Sequence, residues 1–421
     1  MTRLLLRGLE PAVERLMGAV PVVILEGARA SGKTSLARRL LERGILRSSS
    51  DLSDPTTFAA ARASPTSFIE ELDAPALIDE AQLLPELATA VKRRVDREGE
   101  LGMFLLTGSS RLGRTQLGGS DPLAGRAVRV RLSPMTQGEL AGTPVNLVES
   151  LTKAPPGKAR PDAEVSRQDL IARIRRGGLP LIAGVRGAIE PRIREQLAQE
   201  YVEAVLFHEV GARHDRAELQ RLFRYLAAST ARIANLSTIA SELGATRSTI
   251  AARIASLDAC FLLHALAGHR PSEHRTLTAH PKIHAADTGL AAWAARIDDR
   301  PAPAIFGALV ETLVVSELVA QAGWIHGGPT VRHWRDTAKK VEVDAVILQS
   351  SGASIAVEVK AGVDVRPDDL AGLRAYLATV AGAERGIIIY TGDKTLELDD
   401  AIWAVPISAL WNCFAGRAGR R

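Results

Sequence analysis

Apolar and polar positions change period several times along the chain, and those changes divide it. Between residues 19 and 145, short and nearly continuous apolar runs alternate with polar stretches compatible with helix. That alternation predicts a parallel sheet covered by helices. The strands it places are Val22 to Leu25, Ala76 to Ile78, Met103 to Thr107 and Ala127 to Leu132. From Gly142 to Arg167 the periodicity stops and Pro144, Pro155, Pro156 and Pro161 fall among mixed charges, which predicts a mobile loop or linker. Helical patterns resume near Gln168 and run through Glu195 to Val210 and Glu218 to Thr230.

Residues 236 to 257 read LSTIASEL, then Gly244 and Ala245, then TRSTIAARIASL. This is the spacing of a helix, a tight turn and a second helix. Ser237 and either Thr246 or Ser248 suit the helix starts, and Gly244 suits the left-handed residue that closes the first helix. Apolar runs at Phe261 to Leu266 and Ile283 to Ala286 supply the strands of a wing, so a winged helix is expected. A long apolar helix begins near Ile305, and strands follow at Val341 to Leu348, Ile355 to Val359 and Gly386 to Tyr390. The expected organisation is an α/β parallel-sheet domain with a helical extension over residues 1–210, a winged helix-turn-helix over 211–300 and a second α/β domain over 301–421.

Composition narrows the classes. With 46% hydrophobic and 24% charged residues in 421, the chain is neither disordered nor fibrous. Its two cysteines, Cys260 and Cys413, make no disulfide framework, and the natural setting is a reducing, cytoplasmic one. No apolar stretch reaches 18 residues without a charge and no leader pattern opens the chain, so neither a signal peptide nor a membrane partner is expected. The net charge of +5 points weakly to polyanions, and arginine supplies 44 of the 53 basic residues.

The segment from Gly27 to Thr34, GARASGKT, fits the phosphate-loop pattern between an apolar strand and an amphipathic helix. Gly27 and Gly32 let the backbone curl, so that the amides of Ala28, Arg29, Ala30 and Ser31 face phosphate oxygens at the positive end of the helix. Lys33 is placed for the β- and γ-phosphates of ATP, Thr34 for Mg²⁺, and Ser35 lies in the same first turn. Asp79 and Glu80 end a buried strand; the first suits Mg²⁺ held through water and the second suits activation of the attacking water. Ser109, at the end of the next strand, is the candidate γ-phosphate sensor, and Arg111 and Arg126 are candidates to offset transition-state charge.

Taken in order, these residues resemble the AAA-type ATPases of bacteria and archaea that carry a C-terminal domain with a PD-(D/E)XK nuclease-like fold. The resemblance rests on the phosphate loop, LIDEAQ (77–82), LLTGSS (105–110), LAGRA (123–127), GGLP (177–180), the winged-helix segment and DTGL (287–290). It continues in FGALVETLVVSEL (306–318), HWRD (333–336), VEVDAVI (341–347) and AVEVK (356–360). Ala30 stands where many relatives carry glutamine, and the proline-rich insertion has no obvious counterpart. The resemblance implies a nuclease-type site at Glu311, Asp344, Glu358 and Lys360. In it the three carboxylates would hold Mg²⁺ or Mn²⁺, and Lys360 would position water or offset charge. Spacing allows this, because Glu358 and Lys360 lie two apart on one strand and share a face. The partners expected are ATP or ADP and nucleic acid, DNA rather than RNA, with ATP turnover governing access to the C-terminal site. The alternative is a nucleotide-dependent regulatory or defence switch whose C-terminal domain binds nucleic acid or protein without cutting. The second helix of the turn motif offers Arg247, Ser248, Thr249 and Arg253 to a groove, or else packs as a lid.

Overall fold

The computed structural model describes residues 6–109, 121–156, 165–185, 187–209, 215–269, 280–325 and 327–412. Cys413, Ser110 and Arg111, singled out in the sequence, lie outside them. The chain divides into two compact units, residues 1–133 with 259–261, and residues 134–258 with 262–421.

In the first unit five strands form a parallel sheet: β1 (Val22–Gly27), β2 (Ser48–Asp51), β3 (Ala76–Asp79), β4 (Phe104–Gly108) and β5 (Ala127–Leu132). Their order is β2-β3-β4-β1-β5. The three central strands are buried along their whole length, as their unbroken apolar runs require, and Leu132 alone is buried in β5 at the edge. Below them Ile24, Ile78, Phe104 and Leu106 pack with Val91 and Val95 of the Leu87–Glu98 helix. This arrangement delivers the ends of β1, β3 and β4 to one edge of the sheet, where ligands bind in open α/β folds.

The second unit contains a six-stranded mixed sheet of β9 (Thr330–Asp336), β10 (Val341–Leu348), β11 (Ser354–Lys360), β12 (Ala383–Tyr390), β13 (Leu396–Asp399) and β14 (Ile402–Pro406). Their order is β13-β14-β12-β11-β10-β9. The Pro303–Gly323 and Ala371–Thr379 helices pack on it. Pro303–Gly323 is the one helix among the described residues long and apolar enough to span a membrane, but 56% of its most apolar stretch is buried in the fold. Its Thr312, Glu317 and Gln321 are buried polar residues with partners, the pattern of a core helix.

The same unit holds a three-stranded antiparallel sheet, β6 (Arg232–Ile233), β7 (Leu263–Leu266) and β8 (Lys282–Ala285), in the order β6-β8-β7. Helices Leu236–Glu242 and Arg247–Ala259 form the helix-turn-helix, with Gly244 at φ +63° between them. Asn235, not Ser237, caps the first of them by accepting from the amides of Ser237 and Thr238, while Thr246 starts the second. Part of the expected linker is ordered: Asn146 caps a helix, Leu147–Lys153, whose Leu147, Val148 and Leu151 are buried. Gln321 fixes its start, accepting from the Leu147 amide at 2.7 Å while its carbonyl accepts from Asn146 at 3.0 Å.

Candidate nucleotide site

The phosphate loop follows from the geometry of its two glycines. A Cβ on Gly27 would lie 2.4 Å from the Leu132 carbonyl oxygen, so β1 meets the end of β5 only because that side chain is absent. Gly32 adopts φ +100°, the left-handed turn that starts the Lys33–Glu42 helix. The Lys33 side chain is 4% exposed and its ammonium donates to the Gly27 and Ala28 carbonyls, both at 3.0 Å, so it is folded into the loop. Inside the same loop the buried Ser31 hydroxyl has no hydrogen-bond partner among the described residues. Sequence reasoning missed Arg7, which donates to the Ser31 carbonyl at 2.6 Å and the Ser133 carbonyl at 2.7 Å. No local pattern marks it, since its partners lie 24 and 126 residues away.

Strand order carries the acidic pair to this loop, because β4 lies between β1 and β3 and its polar end bridges them. Thr34 donates from its hydroxyl to Asp79 at 2.8 Å, and Thr107 donates to the other oxygen of the same carboxylate. The Glu80 amide donates to Thr107 at 3.2 Å, and Glu80 itself takes a left-handed φ of +54°. Gln82 donates to Glu80 and, at 3.0 Å, to Ser109. Thr107 and Gln82, which sequence reasoning quoted only within longer motifs, therefore join Asp79, Glu80 and Ser109 into one chain of hydrogen bonds. The donor set fits Mg²⁺ bound with a nucleotide: a hydroxyl beside a carboxylate at the mouth of an amide-lined loop.

Arg126 is placed elsewhere. Its carbonyl accepts from the Val22 amide at the start of β1, so it sits at the sheet edge opposite the loop, about 17 Å away by strand rise. There its guanidinium is paired with Asp96. Parallel pairing of β5 with β1 puts the residue before β5 at the wrong end for the phosphates of its own chain.

In the second unit Glu311, Asp344, Glu358 and Lys360 do converge, with an unforeseen fifth group. Lys282 of β8 is 4% exposed and places its ammonium 2.6 Å from Glu311 and 2.8 Å from Asp344. Burial works against that charge, but Asp344 and Glu311 outweigh it and raise the Lys282 pKa above the ordinary lysine range. The second Asp344 oxygen accepts from the Val359 amide at 2.9 Å. Lys360 lies 3.0 Å from Glu358 and 3.2 Å from Asp369. Burial and the Asp344 charge push Glu311 and Glu358 upward. A divalent cation needs ionised oxygens with free lone pairs, whereas here an ammonium already fills the space between two of them. Among the described residues no group of three or more His, Cys, Asp or Glu is arranged to hold a metal. The residues present do not fit the implied metal.

The turn motif is also less basic than its sequence. Arg253 is buried and paired with Glu218, while Ser248 and Thr249 bond to Thr246. Arg247 is left as the exposed arginine of that helix.

Comparison with known proteins agrees with the first of these sites. Residues 19–141 match a family model described as an AAA domain. Residues 167–301 and 306–410 match models described as domains of unknown function, DUF8612 and DUF4143. Uncharacterized proteins of Mycobacterium bovis and Mycobacterium tuberculosis are each 26% identical over 398 residues, covering 94% of this chain and 82% of theirs. Among solved structures, a Walker-type ATPase of Pyrococcus abyssi aligns at 16% identity over 68% of this chain and 94% of its own, with a TM-score of 0.41. A Holliday junction branch migration motor of Thermotoga maritima aligns at 21% identity over 61% and 86%, with a TM-score of 0.25. Residues 19–141 thus match an AAA domain, and within them the loop that holds Lys33 is joined to the acidic strand by the hydrogen bond from Thr34 to Asp79.

Proposed function

We propose that the protein binds ATP with Mg²⁺ at Gly27 to Ser35 and hydrolyses it with Glu80 as the base. The observation that carries this is the hydrogen bond from Thr34 to Asp79, which joins the loop to the acidic strand. Mg²⁺, when bound with the nucleotide, would neutralise charge on the β- and γ-phosphates. Lys33 would leave the loop carbonyls for those phosphates, and the amides from Ala28 to Gly32 would surround them. Glu80, freed from Gln82, would take the proton of the attacking water, and Ser109 would feel the γ-phosphate through the same glutamine. A positioned general base contributes about 10²- to 10⁴-fold to rate. Glu80→Gln should therefore keep ATP affinity and lose at least about a hundredfold in turnover. Unchanged turnover in that variant would remove Glu80 from its role.

A second reading concerns the remaining two-thirds of the chain. The resemblance in sequence implies a nuclease-like domain over residues 301–421 and a winged helix over 211–300. We infer that the C-terminal domain binds its nucleic-acid or protein partner without cutting it. Lys282 supports this, because it supplies from within the protein the positive charge that a catalytic metal would bring. Mn²⁺ titration without nucleotide should reveal no site that Asp344→Asn removes, and plasmid, linear and single-stranded substrates should stay intact. Manganese uptake or cutting lost in Asp344→Asn would overturn it.

A further inference from the structure

Apart from both sites, the second unit contains a cavity of about 470 Å³ whose lining includes five arginines, Arg175, Arg192, Arg194, Arg224 and Arg296, and one carboxylate, Glu195. It is formed by the end of the Arg167–Arg176 helix, the first turns of the Pro191–Glu209 helix, the Arg216–Ala228 helix and the residues that close Thr288–Ala294. Internal partners account for only part of this charge. Arg175 pairs with Asp299 at 2.6 Å. Arg194 donates to the carbonyls of Ile182 and Ile189 and has no ion pair among the described residues. Arg224 lies with its guanidinium 4.6 Å over the Trp293 ring. Arg192 and Arg296 are exposed and have no ion pair among the described residues. The cavity therefore concentrates like charges that repel one another across a small volume, an arrangement that an anion relieves.

Two further features point the same way. The 19-residue helix Pro191–Glu209 presents its first turns to the cavity and adds the positive end of its dipole to the guanidinium groups. Arg296 takes φ +50° where the preceding helix closes, a position that glycine or asparagine fills at lower cost. Arginine occupies this position and lines the cavity. Burial, then the charges of Arg176 and Arg175, lower the Arg194 pKa, as expected where positive groups crowd.

We propose that this cavity binds a ligand bearing two or more adjacent phosphate groups. Planar guanidinium forks match phosphate oxygens two at a time, and the volume suits a compact polyphosphate or two consecutive phosphates of a nucleic-acid strand. The site stands independently of the phosphate loop, since all of its lining residues belong to the other unit.

The test uses the full chain carrying Lys33→Ala, so that the loop contributes little. Inorganic tripolyphosphate and a single-stranded oligonucleotide are titrated separately into this protein and into versions with Arg192→Glu and Arg296→Glu together, Arg192→Gln and Arg296→Gln together, or Arg247→Glu. Because Arg192 and Arg296 are exposed, the substitutions bury no charge and the fold is retained. Binding should weaken at least tenfold in the glutamate pair and less in the glutamine pair, and stay within twofold in Arg247→Glu. Loss with both probes identifies a strand backbone as ligand, and loss with tripolyphosphate alone identifies a free polyphosphate. Absence of binding by either probe, or loss in Arg247→Glu but not in the glutamate pair, would overturn the proposal.

Discussion

Arg7 ties the phosphate loop to the end of β5 through two carbonyl oxygens, and both bonds come from one buried charged group. A hydrogen bond from a charged donor contributes about 1.5–3 kcal/mol, so Arg7→Ala should loosen the loop without touching a ligand. The expected result is an ATP dissociation constant raised about tenfold, the equivalent of one such bond, measured by titration. Glu317 makes a different kind of prediction. Burial pushes its carboxyl up to about 8, against the Gln137 amide that donates to it at 2.6 Å. The folded state thus holds a proton that the unfolded chain releases near its ordinary 4.5. The stability this provides is complete below pH 4.5 and is lost as pH rises through about 8. Melting temperatures of wild type relative to Glu317→Gln should fall steadily between pH 5 and 8, and parallel curves would refute the assignment.

Among the elements, two motifs that the sequence set apart prove to be one joint. Asp287 of DTGL accepts from the amides of Gly178 and Leu179 in GGLP, at 2.6 and 3.1 Å, and from Leu290 at 3.1 Å. Gly177 sits at φ +66°, and a Cβ there would fall 2.4 Å from the Asp287 carboxylate. Gly177→Ala should therefore cost about 2 kcal/mol or more in chemical denaturation, from the left-handed backbone and the displaced carboxylate together. Elements with an apolar signature were legible: β1, β3 and β4 are continuous buried runs, and the Pro303–Gly323 helix is a long one. Elements held by position were not. β2 reads SSSD and is a strand only because β3 offers it an edge with four paired residues. The Leu147–Lys153 helix was hidden by the prolines on either side of it, although Asn146 and three buried apolar residues carried its signal.

Across the whole molecule the same division holds for function. The phosphate loop could be read from one segment because its chemistry is local: glycines, a lysine and a threonine in eight residues. Asp79 and Glu80 needed only the expectation that parallel strands end together. The carboxylate cluster was half legible. Glu311, Asp344, Glu358 and Lys360 were found, while Lys282, which changes what they can hold, comes from a strand 62 residues before Asp344. The arginine cavity had no linear signal, since its lining is gathered from four helices in a chain already rich in that residue.

The central claim is that the loop from Gly27 to Ser35 grips a triphosphate, with Lys33 turning from the loop carbonyls to the phosphates. Titration calorimetry of ATP with Mg²⁺ into wild type and Lys33→Ala tests it directly. Loss of a charged hydrogen-bonding group predicts affinity lower by about 10- to 100-fold in the variant. Equal affinity in both proteins, or no heat in either, would contradict the account.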